Sequence, residues 1–310
     1  MPRDNPRMAT LSPSTSTTLR HLRVLSLALN LPGPAALMRL KAMGARCTKL
    51  EPLAPTPGAT ADPMGIYKRA AYDAMHEGIR VVQSDLKTAR GQAKLRQLLA
   101  KTDVLITSFR PSALKKLGLE WKKLHALYPS LCMVSIVGAL GERAEEPGHD
   151  LTYQADNGLV TGLELPATLY ADMGGSLLTT EAVLQALLQR QQPGRRQGQG
   201  VFHSIALSDA VAYLALPRQW GLTTPDGDVG GAHAGYRVYP CKNGRVALAT
   251  LEPHFTARLC AATGISADIV TQMHQPRTRE VIAAYLLTKT RQQLDKLAAQ
   301  HDIPLHTMPR

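Results

Sequence analysis

From residue 22 onward, apolar runs of strand length alternate with segments of helical periodicity, and this alternation restricts the fold more than any other feature. Leu22–Leu29 and Leu131–Val137 are nearly continuous in apolar side chains. A strand apolar on both faces must be covered on both, which a parallel sheet between two helix layers achieves. Cys47–Glu51, Ile79–Gln83 and Val104–Ser108 read as further strands. Helices are expected after Pro32-Gly33-Pro34 through Ala42, with Gly44 placed for a C-cap, then over Arg90–Ala100, Ala113–Leu117 and Trp121–Tyr128. A long helix from about Met173 to Gln192 ends at Pro193-Gly194, and helical spacing resumes over Ile205–Leu216. In such sheets ligands sit on the loops that leave the carboxyl ends of strands. Here those loops are Asn30–Pro34, Pro52–Pro63, Phe109–Ser112 and Gly138–His149.

At about 150 residues per domain, 310 residues suggest one large or two modest domains. The pattern divides into a large α/β domain over 22–216, a Gly-rich linker over 217–230 and a smaller α/β domain over 231–310. The small domain contains a hairpin signal at Lys242-Asn243-Gly244 and helical spacing over Thr256–Ala261 and Val281–Ala299. Residues 1–21 carry Ser, Thr and Arg with one acid and no apolar segment of signal-peptide type, so a disordered extension is expected, with Met8 an alternative start. Lys and Arg number 36 against 24 Asp and Glu, a net charge of +12 that calls for an anionic partner. Aromatics make up only 5%, too few for a base-stacking surface, and no nucleic-acid motif is present, so nucleic acid is not the expected partner. The four cysteines are scattered without a CxxC pair, which argues for free thiols in a reducing cytoplasm and against a metal site. No run is long and apolar enough for a bilayer, so no membrane partner is expected. A nicotinamide enzyme is disfavoured because no GxGxxG follows the first strand.

Two segments carry reactive groups: Gly148-His149-Asp150-Leu151-Thr152-Tyr153 and Ala171-Asp172-Met173-Gly174-Gly175. Asp172 is expected at the N-cap of the long helix, and Gly174 and Gly175 would offer free amides and close backbone approach to an oxyanion. A histidine and a carboxylate together serve proton transfer beside a carbonyl, although a spacing of 23 positions does not show that His149 and Asp172 meet.

These segments, taken in order, resemble the family III CoA-transferases, the superfamily that includes α-methylacyl-CoA racemase. The likeness also rests on Asp103-Val104-Leu105-Ile106 through Phe109-Arg110-Pro111, on Leu117-Gly118-Leu119 and on Leu251-Glu252-Pro253. It runs from Leu25 to about Leu305. The resemblance implies a Rossmann-like large domain, a small α/β domain and an interlocked homodimer. It implies a coenzyme A thioester as substrate, with no tightly bound cofactor. Arg110, Arg80 and Lys49 become the candidate phosphate contacts. Two chemistries are implied: racemisation by a His149 and Asp172 acid–base pair, or CoA transfer with Asp172 as nucleophile. Gly-His-Asp with Asp-x-Gly-Gly looks like the first, and Tyr153-Gln154-Ala155 like the second. A non-catalytic paralogue is the third reading. It draws on Pro52 and Ile79, which stand where the family carries an arginine and a lysine, and on a chain end at Arg310 earlier than in relatives.

Overall fold

A computed structural model describes residues 17–192, 198–266, 269 and 271–310. Six strands pair in parallel in one sheet: Arg23–Ser26 (β1), Arg46–Glu51 (β2), Arg80–Gln83 (β3), Val104–Thr107 (β4), Cys132–Val137 (β5) and Phe202–Ala206 (β6). Their order is β3-β2-β1-β4-β5-β6, the Rossmann order, with the reversal between β1 and β4. Alternate strand residues feed two separate cores, as a period of two requires. Val24, Cys47, Ile106, Val134 and Ile136 pack with Leu37 and Leu40 of helix Pro32–Ala42 and with Val183 of helix Tyr170–Arg190. On the other face Leu25, Leu50, Leu105 and Met133 pack with Leu95, Leu99, Leu114 and Leu124.

The chain divides into two compact units, Met1–Leu214 and Ala215–Arg310. The first unit's core starts earlier than the expected extension allows: Leu19 is buried, and its amide donates to the Met43 carbonyl. Residues 1–16 of that expected extension lie outside the described residues. The second unit starts at Ala215 with the short helix Leu216–Gln219, which runs from the last residue read as large domain into the stretch read as linker. Its sheet is antiparallel: Tyr236–Cys241 (β7), Gly244–Ala249 (β8) and Leu305–Met308 (β9), in the order β7-β8-β9. Helices Pro253–Thr263, Pro276–Leu287 and Arg291–His301 complete its core around Val246, Leu259, Ile282 and Leu294.

Three expectations are corrected. Phe202–Ala206 is a strand, and the helix expected from Ile205 starts only at Leu207. The single helix expected over Val281–Ala299 is two, because Thr290 and Gln293 form a capping box that starts a new helix. The long helix starts at Tyr170, which puts Asp172 in its first turn and Leu169, which has no capping side chain, at the N-cap. All four cysteines are free and buried, and no described helix is long and apolar enough to cross a membrane.

Candidate active site

The switch point between β1 and β4 opens into a cavity of about 230 Å³. Its wall comes from the loops after β1 (Leu29, Asn30, Pro32), β4 (Ser108, Arg110) and β5 (Gly138, Gly148, His149). Asp172 and Tyr153 complete it from two helices. This is where a doubly wound sheet presents loop ends and helix starts to a ligand.

His149 and Asp172 therefore do share one site. A hydrogen bond spans their separation in sequence: the Asp172 amide donates to Asp150 Oδ1 at 2.9 Å. Asp150 opens the helix Asp150–Asp156 and is buried, and its other oxygen accepts from Gln154 Nε2. Gln154 also donates to the Thr168 carbonyl at 3.1 Å, tying this helix to the segment before Asp172. The Asp150 carboxylate, which accepts from an amide in the first turn of the 21-residue helix, gains from that helix's dipole as well as from the bond. His149 is the N-cap of the shorter helix and is exposed on the cavity wall.

Burial pushes the Asp172 carboxyl up to about 7, and the neighbouring charge of Asp150 adds to the shift. A carboxyl held there exists in both protonation states near neutral pH, as general acid–base work requires. Burial also raises the Tyr153 phenol, with the Asp172 charge adding to the effect and Arg110 opposing it. The space beside Tyr153 depends on two glycines. A Cβ on Gly138 or Gly148 would lie 2.1 or 2.5 Å from the Tyr153 hydroxyl.

The other expected site residues fall into two groups. Arg110 is on the cavity wall, exposed at the start of helix Pro111–Lys116, and forms no ion pair among the described residues. Arg80 begins the edge strand β3, at the opposite end of the parallel strands from the cavity. Lys49 is fully buried in β2 and pairs with Asp62 and, at 3.3 Å, with Glu51, so a phosphate contact there is ruled out by its surroundings. Gly174 and Gly175 also serve packing rather than a ligand. A Cβ on Gly175 would meet Leu207 Cδ2 at 2.3 Å, and one on Gly174 would meet Ala210 and Leu214 at 3.1–3.3 Å, so these glycines seat helix Leu207–Leu214 against the long helix. Ile79 is a core residue and Pro52 an exposed loop residue, and neither lines the cavity. Asn30 also lines the cavity, and Asp150 and Gln154 hold the Asp172 segment in place beside it; the sequence reading singles out none of the three as functional. The Asp150–Gln154 spacing of four on a helix was the available signal for two of them. Among the described residues no group of three or more His, Cys, Asp and Glu side chains is placed to hold a metal ion.

Comparison with known proteins gives consistent matches. The model of CoA-transferase family III matches residues 19–308. Succinyl-CoA–D-citramalate CoA-transferase of Chloroflexus aurantiacus is 30% identical over 316 residues, covering 92% of this chain and 77% of that protein. Alpha-methylacyl-CoA racemase of Mus musculus is 29% identical over 293 residues, covering 88% and 73%. Among solved structures, a hypothetical protein from Mycobacterium tuberculosis superposes with a TM-score of 0.75 at 24% identity, over 93% of this chain and 83% of that one. A CaiB/BaiF family protein from Brucella suis gives 0.72 at 22%, over 95% and 85%. The two solved structures share the fold.

Proposed function

We propose that this chain, which belongs to CoA-transferase family III, exchanges the α-proton of a 2-methylacyl-CoA thioester and so racemises its α-carbon. The family makes the chain an acyl-CoA-processing enzyme of the transferase and racemase superfamily. The observation that carries the finer reading is Asp172, a carboxyl raised to about 7 on the same cavity wall as His149. Inversion needs a base on one face of the α-carbon and an acid on the other. One of the pair takes the α-proton, and the C–H electrons pass into the thioester carbonyl as an enolate. The other returns a proton to the opposite face, after which the two side chains have exchanged protonation states. Tuning near 7 is what lets a single carboxyl act in both directions.

A second reading is CoA transfer, favoured by Tyr153-Gln154-Ala155 and by the CoA-transferases among the relatives. There the ionised Asp172 attacks the thioester carbonyl and expels CoA thiolate, leaving a mixed anhydride. The thiolate then attacks the aspartyl carbonyl and releases the acyl carboxylate, leaving aspartyl-CoA for the acceptor acid.

Mass spectrometry of an acyl-CoA and a carboxylic acid incubated with the protein in deuterated water reads both reactions at once. We expect one deuteron at the α-carbon starting from either enantiomer, and in His149→Ala loss of uptake from the enantiomer whose α-hydrogen faces His149. Uptake that persists equally from both enantiomers in His149→Ala would defeat the racemase reading. CoA transfer surviving in that variant, with an adduct on Asp172, would replace it with the second.

Arg110 is the proposed phosphate contact, because its guanidinium is free on the cavity wall and phosphate is bound well by that fork. Arg110→Ala should weaken acyl-CoA binding by about 1–3 kcal/mol, the worth of a charge-assisted contact. Unchanged affinity by calorimetry would remove Arg110 from the site. The same proposal includes a homodimer in the cytoplasm. Light scattering at micromolar concentration should give twice the 33.6 kDa chain mass, and a stable monomer would refute the dimer.

A further inference from the structure

Three consecutive amides of the loop after β1 are each bound by a side chain. Ala28 N–H donates to Ser26 Oγ at 3.2 Å, Leu29 N–H to Ser108 Oγ at 3.2 Å, and Asn30 N–H to Asp62 Oδ1 at 3.1 Å. From the other side the loop is met by the start of helix Pro32–Ala42, where a Cβ on Gly33 would lie 2.2 Å from Ala28 Cβ. Asp62 is completely buried, and its second oxygen pairs with the equally buried Lys49. Asp62 Oδ1 also accepts from Met64 N–H at 2.9 Å, so the carboxylate is fixed in orientation.

The residue at the end of this chain of contacts is unusual in its backbone. Asn30 has φ of 64°, in the left-handed region that few residues other than glycine and asparagine adopt cheaply. Its side chain is half-buried on the cavity wall and makes no hydrogen bond among the described residues. Asparagine takes this conformation at small cost, and the left-handed backbone and the buried ion pair converge on one free amide group.

Both reactions considered above move negative charge onto the thioester oxygen, as an enolate in one and a tetrahedral adduct in the other. Asp172 is an acceptor when ionised, and the Asn30 backbone N–H is already taken by Asp62. The Asn30 carboxamide carries two uncommitted donors on the same wall. We infer that Asn30 Nδ2 donates a hydrogen bond to the thioester carbonyl oxygen and stabilises the charge that develops there, and that Lys49 and Asp62 are its positioning residues. No proton leaves Asn30 in this role, since the amide only donates a hydrogen bond that shortens as charge accumulates. The inference rests on the acyl-CoA reading but holds for either reaction within it.

The test uses 2-methylpropanoyl-CoA labelled with carbon-13 at the thioester carbonyl, bound to the intact protein. In the unmodified protein the bound carbonyl resonance should lie downfield of the free one. Asn30→Gly keeps the left-handed backbone without strain, so it should fold. In it the resonance should return toward the free position, and kcat for α-exchange or transfer should fall by about 10²–10³, the cost of losing one oxyanion donor. Probe affinity should change by less than about tenfold, because the donor matters most when charge develops. Asp62→Asn keeps an oxygen for the Asn30 amide but loosens the pair with Lys49. It should lower kcat and leave the dissociation constant unchanged, a split that a merely structural role would not give. A resonance and kcat unchanged in Asn30→Gly, with the probe still bound, would overturn this inference alone. Failure of the unmodified protein to bind the probe would overturn the acyl-CoA reading as well.

Discussion

Asp172→Asn should be inert in both α-proton exchange and CoA transfer and should nevertheless melt higher than the unmodified protein at pH 8. The loss of activity follows from either role: an amide neither shuttles a proton near neutrality nor attacks a thioester. A missing general acid–base costs about 10²–10⁴ in rate, and a missing nucleophile removes the covalent route entirely. The gain in stability follows from the direction of the shift. Asp172 has its folded-state value raised from 3.8 to about 7, mainly by burial, so the fold favours the protonated form. Its support for the fold is complete below 3.8 and is lost progressively as pH climbs to about 7, above which the native state carries a poorly solvated charge. At 1.36 kcal/mol per unit the full penalty would be about 4 kcal/mol. Solvent screening of a half-buried group brings this to about 1–3 kcal/mol. Asparagine carries no such charge, so its advantage should be small at pH 5 and reach several degrees in melting temperature at pH 8. Equal melting temperatures for the two proteins at both pH values would mean that Asp172 is well solvated, and the acid–base reading would lose its support. An enzyme that gains stability when a reactive carboxyl is removed is showing the conflict expected where a site is held in an unfavourable state for use.

What the sequence makes legible here is what repetition enforces. The strands at the centre of the sheet are apolar on both faces, so β4 and β5 are marked without ambiguity, and residues of the loops that follow them line the cavity. β6 escapes because it lies at the sheet edge with alternate residues exposed, and His203 and Ser204 break its apolar run. The helix break at Thr290 is written in a capping box, yet the apolar spacing runs across it and hides it. The His149 and Asp172 segments are legible by motif, whereas the contact that joins them, through Asp150, depends on a fold that no local pattern encodes. Gly174 and Gly175 mislead for a physical reason. Glycine permits close approach of anything, and here what approaches is Leu207 rather than a ligand. Lys49 misleads in the same way, because a lysine in a strand gives no sign of the two carboxylates that enclose it.

Lys49→Met should destabilise the large unit by about 3–5 kcal/mol, the cost of leaving a buried charge without its partner. Methionine keeps most of the stem volume, so the loss comes from charge and hydrogen bonding rather than from a cavity. Without the ammonium group, Glu51 and Asp62 face each other in a region closed to water. Their remaining partners are neutral: Thr60 Oγ1 at 2.8 Å, Gln83 Nε2 at 3.0 Å and the Tyr72 hydroxyl at 3.1 Å on Glu51, and two backbone amides on Asp62. Neutral donors do not offset two like charges at low dielectric, so one carboxyl must take up a proton for the variant to fold. A carboxyl protonated only in the folded state supports the fold at low pH and withdraws that support as pH rises. The deficit of Lys49→Met should therefore be smaller at pH 5 than at pH 8 in chemical denaturation. A uniform deficit across that range would point to lost packing, and no deficit would show that the three charges are not coupled. Replacing all three groups together (Lys49→Met, Glu51→Gln, Asp62→Asn) should recover part of the stability, since a neutral network removes the repulsion. It should not recover turnover: a neutral acceptor holds the Asn30 amide less firmly, and the left-handed backbone at Asn30 then relaxes away from the geometry the carbonyl requires. Stability regained without activity would separate the two roles of this network, fold cohesion and the aiming of one side chain.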